Sequence, residues 1–119
     1  SFGDKLESER RDYARLMGVG IPMPALIEVD EKKERIVKEF IDGQDIQKDI
    51  REGKDVSKAM GILESWLPKL YGEGLNIDYY PTNFVFDGNA LYYIDYECNE
   101  YHEEWDFEHW GRKTWEETK

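Results

Sequence analysis

The chain has 119 residues, and its 16 Lys and Arg against 27 Asp and Glu give a formal charge of −11. This length fits one small domain, and the charge argues against binding to nucleic acid or anionic membranes, which recruit Lys and Arg. No run approaches the ~18 apolar residues of a membrane span. The single cysteine, Cys98, cannot form an internal disulfide, so we expect a cytoplasmic protein.

The first predicted elements are a helix and a β-hairpin. Residues 4–17 place sparse apolar residues at helical spacing among charges, which predicts an amphipathic helix. Gly18 ends this pattern, and Pro22 prevents the helix from restarting. Residues 25–29 and 35–41 have the composition of short strands around a charged turn. They therefore predict an antiparallel hairpin.

Two more helices are predicted in the middle of the chain. Residues 44–51 favour a short helix, and a longer helix begins near Asp55 with an apolar face along about four turns. Pro68 lies inside this second helix and predicts a kink or an early end. Gly72 closes the segment.

The last third of the chain holds most of the aromatic residues, and we expect them to form its core. Residues 84–86 and 91–94 flank the turn residues Asp87 and Gly88, a pattern that predicts a second hairpin. Residues 103–117 predict a final helix.

A polar set surrounds this second hairpin. Asp78 and Asn83 are five positions apart in the loop before it, and Asp95 follows its second strand. A loop carboxylate, a loop amide and a strand-end carboxylate joined by a hairpin can converge on one point. Phosphoryl transfer needs such a set, because it uses a carboxylate near the attacking hydroxyl and oxygen ligands for Mg²⁺ bound to ATP.

The spacing resembles the catalytic loop and metal-binding segment of the protein-kinase-like superfamily, in which Asp-x-x-x-x-Asn precedes a short hairpin and an Asp. Residues 37–43, Val-Lys-Glu-Phe-Ile-Asp-Gly, look like the strand and hinge that join the two kinase lobes. Residues 4–24 look like the regulatory helix and the turn after it. The ending Asp95-Tyr96-Glu97 is closer to aminoglycoside-phosphotransferase-like and small atypical kinases.

The resemblance implies roles for the three polar residues. Asp78 corresponds to the catalytic carboxylate, which orients or deprotonates the acceptor hydroxyl. Asn83 corresponds to the amide ligand of a second metal ion. Asp95 corresponds to the principal Mg²⁺ ligand. The implied activity is transfer of the γ-phosphate of ATP to a hydroxyl of an unknown acceptor, protein or small molecule.

The resemblance also implies a nucleotide-binding hinge and an ion pair. The backbone of Glu39, Phe40 and Ile41 corresponds to the hinge that binds adenine. Glu9 is the expected helix glutamate that pairs with a lysine, with Glu7 as the alternative.

The implied architecture is an α+β fold in two parts. Residues 1–43 form a partial N-lobe and hinge, a helix plus a two-stranded hairpin. Residues 44–119 form a reduced, mainly helical C-lobe with the catalytic-loop hairpin. The family's Gly-rich loop and phosphate-binding lysine strand would precede Ser1, and Asn76 stands where the family usually has His. We therefore expect a fragment or truncated protein that is active once the missing segment is supplied, or a catalytically inactive pseudokinase or interaction scaffold.

A third possibility is a metal-binding module. His102, Asp106 and His109 are spaced so that one helical face could present them to zinc or another divalent metal. Cys98 has no adjacent base in the sequence, and we expect it to be a partly buried structural residue.

The hairpin of residues 25–41 would present an unpaired edge, because its sheet partners would lie in the missing segment. We therefore expect self-association or partner pairing through this edge.

Overall fold

An amphipathic helix opens the chain in the computed structural model, which describes residues 2–118. This helix, α1 (Phe2–Val19), buries an apolar face that includes Leu16. Gly20 ends it with φ +85°, a conformation that glycine adopts without strain. The backbone N–H of Ile21 then donates to the carbonyl of Leu16 at 3.1 Å, which satisfies one of the last free carbonyls of the helix.

Three more α-helices follow in the described part of the chain: α2 (Ile46–Arg51), α3 (Ser57–Gly72) and α4 (Arg112–Glu116). Helix α3 continues past Pro68 to Gly72, so the predicted early end is wrong. A proline inside a helix costs about 3 kcal/mol, and burial of each large apolar side chain contributes about 1.5–3 kcal/mol. The buried face of α3 offsets the cost with Ala59, Leu63, Trp66, Leu67 and Leu70.

Within the described residues, six short strands pair as three antiparallel two-stranded sheets, β1–β2, β4–β5 and β3–β6. The two predicted hairpins are confirmed as β1–β2 and β4–β5, while the third sheet was not predicted. The strands are β1 (Leu26–Asp30), β2 (Arg35–Lys38), β3 (Leu75–Ile77), β4 (Phe84–Phe86), β5 (Leu91–Tyr93) and β6 (Cys98–Glu100).

The unpredicted sheet positions the polar residues. In its register Leu75 faces Glu100 and Ile77 faces Cys98. Because the strands are antiparallel, the next position after Ile77 lies opposite the position before Cys98. Asp78 and Glu97 therefore emerge at the same end of the sheet, one on each side of the β4–β5 hairpin.

Aromatic side chains form much of the core, as expected. The ring of Phe84 lies 5.7 Å from the ring of Trp115, edge to face, and 5.3 Å from that of Tyr93. Offset and edge-to-face ring contacts of this kind add about 0.5–1.5 kcal/mol to the stabilisation from burial alone. The fully buried rings are Tyr79, Phe84, Tyr93, Tyr96, Phe107 and Trp115.

The predicted helix over residues 103–117 is wrong as a continuous element. The chain forms a 3₁₀ turn (Glu103–Trp105), then a π-helical turn (Phe107–Gly111), and only then α4. Asp106 causes the break, because its carboxylate accepts a hydrogen bond from the backbone N–H of His109 at 2.9 Å and so begins a new helical segment.

The α+β class is confirmed, and the order of elements is consistent at a coarse level with a partial kinase-like fold. The division into residues 1–43 and 44–119 stays a prediction. Within residues 2–118, β1 and β2 pair only with each other, and Ile27 and Phe40 are exposed beside them. Self-association through this edge also stays a prediction. None of the described helices is long and apolar enough to cross a bilayer.

Candidate functional site

The loop between β3 and β4 is held by hydrogen bonds from its own side chains. The amide nitrogen of Asn83 donates to the carbonyl of Asp78 at 3.2 Å, and the carboxylate of Asp78 accepts from the backbone N–H of Tyr80 at 3.2 Å. The carbonyl of Asn83 accepts from the N–H of Ile94 at 2.9 Å, which joins this loop to the strand that leads to Asp95.

Tyr93 connects the two acidic segments, and the sequence interpretation missed it. Its hydroxyl accepts from the backbone N–H of Asp78 at 3.2 Å and donates to the carbonyl of Glu97 at 2.7 Å. Burial, followed by the charges of Asp95, Asp78 and Glu97, raises the pKa of Tyr93 far above its usual range, so the hydroxyl keeps its proton and remains a donor.

Three carboxylates converge at the end of the β3–β6 sheet. One oxygen from each of Asp78, Asp95 and Glu97 lies within 4.8 Å of the others. The first two side chains are half-buried and the third is exposed. Opposite ligands of Mg²⁺ are roughly 4 Å apart, so the cluster has nearly the size of a magnesium site.

Glu97 is the member that the sequence interpretation did not select. The backbone N–H of Glu97 donates to the carboxylate of Asp95 at 3.1 Å, which turns the chain back toward the cluster. Burial, and then the negative charges of Asp95 and Asp78, raise the pKa of Glu97 above its ordinary value. A cation at this point would relieve that repulsion.

The remaining predicted ligand, Asn83, lies in the same loop. Its amide nitrogen donates a hydrogen bond to the carbonyl of Asp78. The amide oxygen is therefore the side-chain atom that could bind a metal. The ligand role of Asn83 stays a prediction, as do the roles of Asp78 and Asp95.

The alternative metal site is not formed. His102 precedes the 3₁₀ turn and Asp106 precedes the π-helical turn, so they do not share one helical face with His109. Within residues 2–118, one group of three or more His, Cys, Asp or Glu side chains is close enough together to hold a metal ion. It is the acidic cluster of Asp78, Asp95 and Glu97. The carboxylate of Asp106 instead binds the ring of His109 at 2.8 Å and the hydroxyl of Tyr101 at 2.8 Å.

Cys98 is buried and packs in the core. Burial, and then the nearby carboxylate of Asp12, raise the pKa of the Cys98 thiol to about 11. The thiol is thus protonated near neutral pH, which agrees with the expected structural role.

A second feature is a cavity of about 310 Å³ beside the segment predicted as the hinge. The backbone N–H of Glu39 donates a hydrogen bond to the carbonyl of Ala25 at 2.7 Å. Among the described residues, the N–H groups of Phe40 and Ile41 have no protein acceptor. The walls of this hinge cavity include the apolar side chains of Val85 and Ile94 and the two lysines Lys38 and Lys48.

The predicted helix glutamate has a cationic partner. Lys38 Nζ lies 3.8 Å from a carboxylate oxygen of Glu9, and the two side chains are 30% and 29% exposed. Glu7 is exposed. Lys38 is the last residue of β2 and lines the hinge cavity, so the cation comes from the strand before the segment predicted as the hinge.

No family model matches the chain. Over 88 residues, 74% of this chain and 16% of the relative, it is 31% identical to a probable bifunctional tRNA threonylcarbamoyladenosine biosynthesis protein from Methanocaldococcus jannaschii. The chain thus spans a small part of the curated relative that it matches.

This similarity corrects two of the sequence interpretations. Assignment to the protein-kinase-like superfamily, through its aminoglycoside-phosphotransferase-like and small atypical members, is wrong: the similarity is to a tRNA threonylcarbamoyladenosine biosynthesis protein, and no family model supports the superfamily. Short polar motifs such as Asp-x-x-x-x-Asn recur in unrelated loops, because Asp and Asn favour turns. The expectation of no nucleic acid is also unsupported, since the relative is named for a role in tRNA threonylcarbamoyladenosine biosynthesis.

Proposed function

We propose that the chain carries the catalytic part of an ATP- and Mg²⁺-dependent phosphotransferase that acts on a hydroxyl group. The observation that supports this most directly is the convergence of Asp78, Asp95 and Glu97 within 4.8 Å. Carboxylate oxygens are the ligands that Mg²⁺ prefers, and Mg²⁺ neutralises the charge on phosphates during transfer.

Each acidic residue has a proposed task. Asp95 and Glu97 bind Mg²⁺, and Asn83 offers its amide oxygen to a second ion. Asp78 accepts the proton of the acceptor hydroxyl. The hydroxyl oxygen then bonds to the γ-phosphorus while the bond from that phosphorus to the bridging oxygen breaks and ADP leaves. Tyr93 is a positioning residue, because its hydroxyl contacts the backbone of both acidic segments.

The hinge cavity is the proposed place for the nucleotide. The unpartnered N–H groups of Phe40 and Ile41 can donate to the acceptor nitrogens of adenine, and Val85 and Ile94 give the flat base an apolar surface. Lys38 and Lys48 supply positive charge in a chain of net charge −11, which favours a ligand that bears phosphates.

The relative supports a proposal for the biological setting. A protein of tRNA threonylcarbamoyladenosine biosynthesis matches most of this chain, so we place the phosphotransfer activity in tRNA modification. The charge of −11 opposes direct binding to RNA phosphates. Contact with tRNA would therefore be made through a partner protein.

Calorimetric titration of the 119-residue protein with Mg²⁺ and ATP tests the proposal. We expect Mg²⁺-dependent ATP binding whose affinity falls about tenfold or more in Asp95→Asn. A direct metal ligand should contribute at least as much to metal affinity as the groups that orient the ligands. Glu104→Gln is the matched control, since it removes the same charge from an exposed residue outside the acidic cluster.

The outcomes separate the candidate functions. Equal binding by Asp95→Asn and the wild type would contradict the proposed metal role. ATP binding without phosphoryl transfer to any hydroxyl or to water would favour the inactive scaffold, which was the alternative from the sequence.

A further inference from the structure

The two outer edges of the β1–β2 hairpin differ in regularity. Within residues 2–118, these two strands pair only with each other. The register shifts between Leu26 and Glu28, so β1 carries an extra residue, Ile27, while β2 runs without interruption. Bulges at an edge hinder pairing with a further strand. The regular edge of β2 is therefore the better template for another strand.

The direction of the backbone shows which groups of β2 face its outer edge. The N–H of Glu39 donates to the carbonyl of Ala25, so the backbone of Glu39 faces β1. In an antiparallel pair, every second residue turns its N–H and C=O to the partner strand, and the residues between turn theirs away. Lys38 and Ile36 therefore present two donors and two acceptors at the outer edge. No backbone group elsewhere in residues 2–118 bonds to them.

A second copy of β2 fits this edge in one antiparallel register. Outward-facing residues must oppose outward-facing residues, so a twofold axis can pass at Ile36, Val37 or Lys38. An axis at Lys38 would place two ammonium groups opposite each other. An axis at Ile36 would extend the pairing into the turn at Glu34, where φ is +51° and the chain is not extended. An axis at Val37 opposes Ile36 to Lys38 of the second copy, twice, within the regular strand.

The axis at Val37 also brings opposite charges together. Arg35 lies two positions before the axis and Glu39 two positions after it, so each guanidinium is opposite a carboxylate of the second copy. Both side chains are exposed. Opposite charges at directly opposed positions stabilise a strand pair, and like charges destabilise it. This complementarity is the observation that favours a second copy of the chain as the occupant of the edge.

We propose that two copies of the chain pair through β2, antiparallel about a twofold axis at Val37, and form one four-stranded sheet. Ile36 and Lys38 contribute four backbone hydrogen bonds across the axis. Phe40, which is 83% exposed directly after Glu39, then lies beside the hairpin turn of the second copy and loses contact with water. The dimer does not depend on the proposed phosphotransferase, and it makes the expected self-association specific in strand, register and symmetry.

Sedimentation equilibrium of the 119-residue protein over about 5–500 μM tests the association. We expect a reversible equilibrium between monomer and dimer. Monomer throughout this range would overturn the proposal.

Proline variants on the two strands provide a matched pair. Ile36→Pro removes an outward N–H of β2 and keeps the hydrogen bonds of the hairpin itself, so dimerisation should be lost. Val29 lies opposite Ile36 in the hairpin and is also half-buried. Val29→Pro removes an outward N–H of β1 and should leave dimerisation unchanged. Thermal melts check that both variants fold, and equal dimerisation of the two would overturn the choice of β2.

Charge exchange tests the register without changing the backbone. Arg35→Glu and Glu39→Arg should each weaken dimerisation about tenfold, because each places like charges opposite each other twice. The double variant should recover dimerisation. Lys32→Glu, the same change of charge within the turn, should have little effect. Failure of the double variant to recover would overturn the register.

Cysteine cross-linking locates the axis directly. Residues at the axis of such a pair have Cα atoms about 4.5 Å apart, a distance that a disulfide can span. Under oxidation by copper phenanthroline, Val37→Cys should therefore cross-link faster than Ile27→Cys. Random collision would favour the opposite order, because Ile27 is 64% exposed and Val37 is half-buried. Equal or faster cross-linking of Ile27→Cys would overturn the proposal.

Discussion

Lys38 Nζ lies 3.8 Å from a carboxylate oxygen of Glu9 and 4.0 Å from the centroid of the Tyr96 ring. The contact joins α1 to the end of β2, directly before the segment predicted as the hinge. The same oxygen of Glu9 is inaccessible to solvent and has no hydrogen-bond partner in the described structure, since 3.8 Å is too long for a hydrogen bond. Attraction to Lys38 therefore compensates for part of its lost hydration.

This half-buried pair should stabilise the fold more than a shorter exposed one. We expect a coupling free energy of about 0.5–1 kcal/mol between Lys38 and Glu9 in a double-mutant cycle of Lys38→Met and Glu9→Gln. Urea unfolding of the four proteins gives this value.

The control pair lies within the β1–β2 hairpin, which also contains Lys38. Arg35 and Glu28 are only 3.3 Å apart, but their side chains are 52% and 51% exposed. Solvent and salt screen such a pair, so its coupling should be close to zero. A larger coupling for Arg35 and Glu28 than for Lys38 and Glu9 would show that distance outweighs burial here.

The parts of the fold that the sequence predicted are those set by neighbouring residues. The hydrophobic spacing of α1 and the turn residues Asp87 and Gly88 are local signals, and both elements form. The proximity of Asp78 and Asp95 was predicted for the same reason, because the short hairpin between them limits their separation.

The parts that the sequence missed depend on distant contacts. Strands β3 and β6 have three residues each and pair across the whole β4–β5 hairpin, so neither gives a periodic pattern long enough to recognise. Glu97 and Tyr93 were missed with them, because only this pairing turns Glu97 back toward Asp78.

Glu97 should be a destabilising charge until a cation binds. Its pKa is raised in the folded state, so folding stability falls as pH rises from below the ordinary value of 4.5 through the raised pKa. Glu97→Gln should therefore be more stable than the wild type at pH 7 without metal, by less than about 1 kcal/mol because the side chain is exposed.

Magnesium should reverse this order. Saturating Mg²⁺ should raise the melting temperature of the wild type and raise that of Glu97→Gln less, since ligand binding stabilises the folded state. Thermal melts at pH 4 and pH 7, with and without Mg²⁺, test both statements. A variant that is less stable at pH 7 without metal would contradict the repulsion.

His109 should make stability depend on pH near neutrality. Its hydrogen bond to the Asp106 carboxylate raises the pKa of His109 above the ordinary 6.5. Burial alone would raise the pKa of Asp106, but hydrogen bonds from His109 and Tyr101 outweigh it and lower the pKa. The contribution of His109 to the free energy of unfolding is therefore fully present below pH 6.5. It is lost as the pH rises through the raised pKa of His109.

NMR titration of the imidazole protons should place the midpoint of His109 above 6.5. In urea unfolding, His109→Gln should abolish most of the stability difference between pH 6 and pH 9. His102→Gln should preserve this difference, since the ring contact with the Asp106 carboxylate is made by His109. Loss of the difference in both variants would mean that it does not originate at the Asp106 contact.

Gly111 is required by close packing against the residue next to Asp78. A Cβ at Gly111 would lie 2.7 Å from Phe107 Cδ1 and 2.7 Å from Tyr79 Cβ, much closer than carbon atoms pack. The backbone of Gly111 is helical, with φ −61°, so the conflict is steric. Gly111→Ala should lower the free energy of unfolding by about 1–3 kcal/mol.

Gly61→Ala is the matched control, because Gly61 lies in α3 and a Cβ there meets nothing within 4 Å. This variant should be more stable than the wild type by up to about 1 kcal/mol. Since Tyr79 directly follows Asp78, Gly111→Ala should also weaken Mg²⁺ binding while Gly61→Ala leaves it unchanged. Urea unfolding and calorimetry measure both effects, and equal behaviour of the two alanine variants would contradict the steric argument.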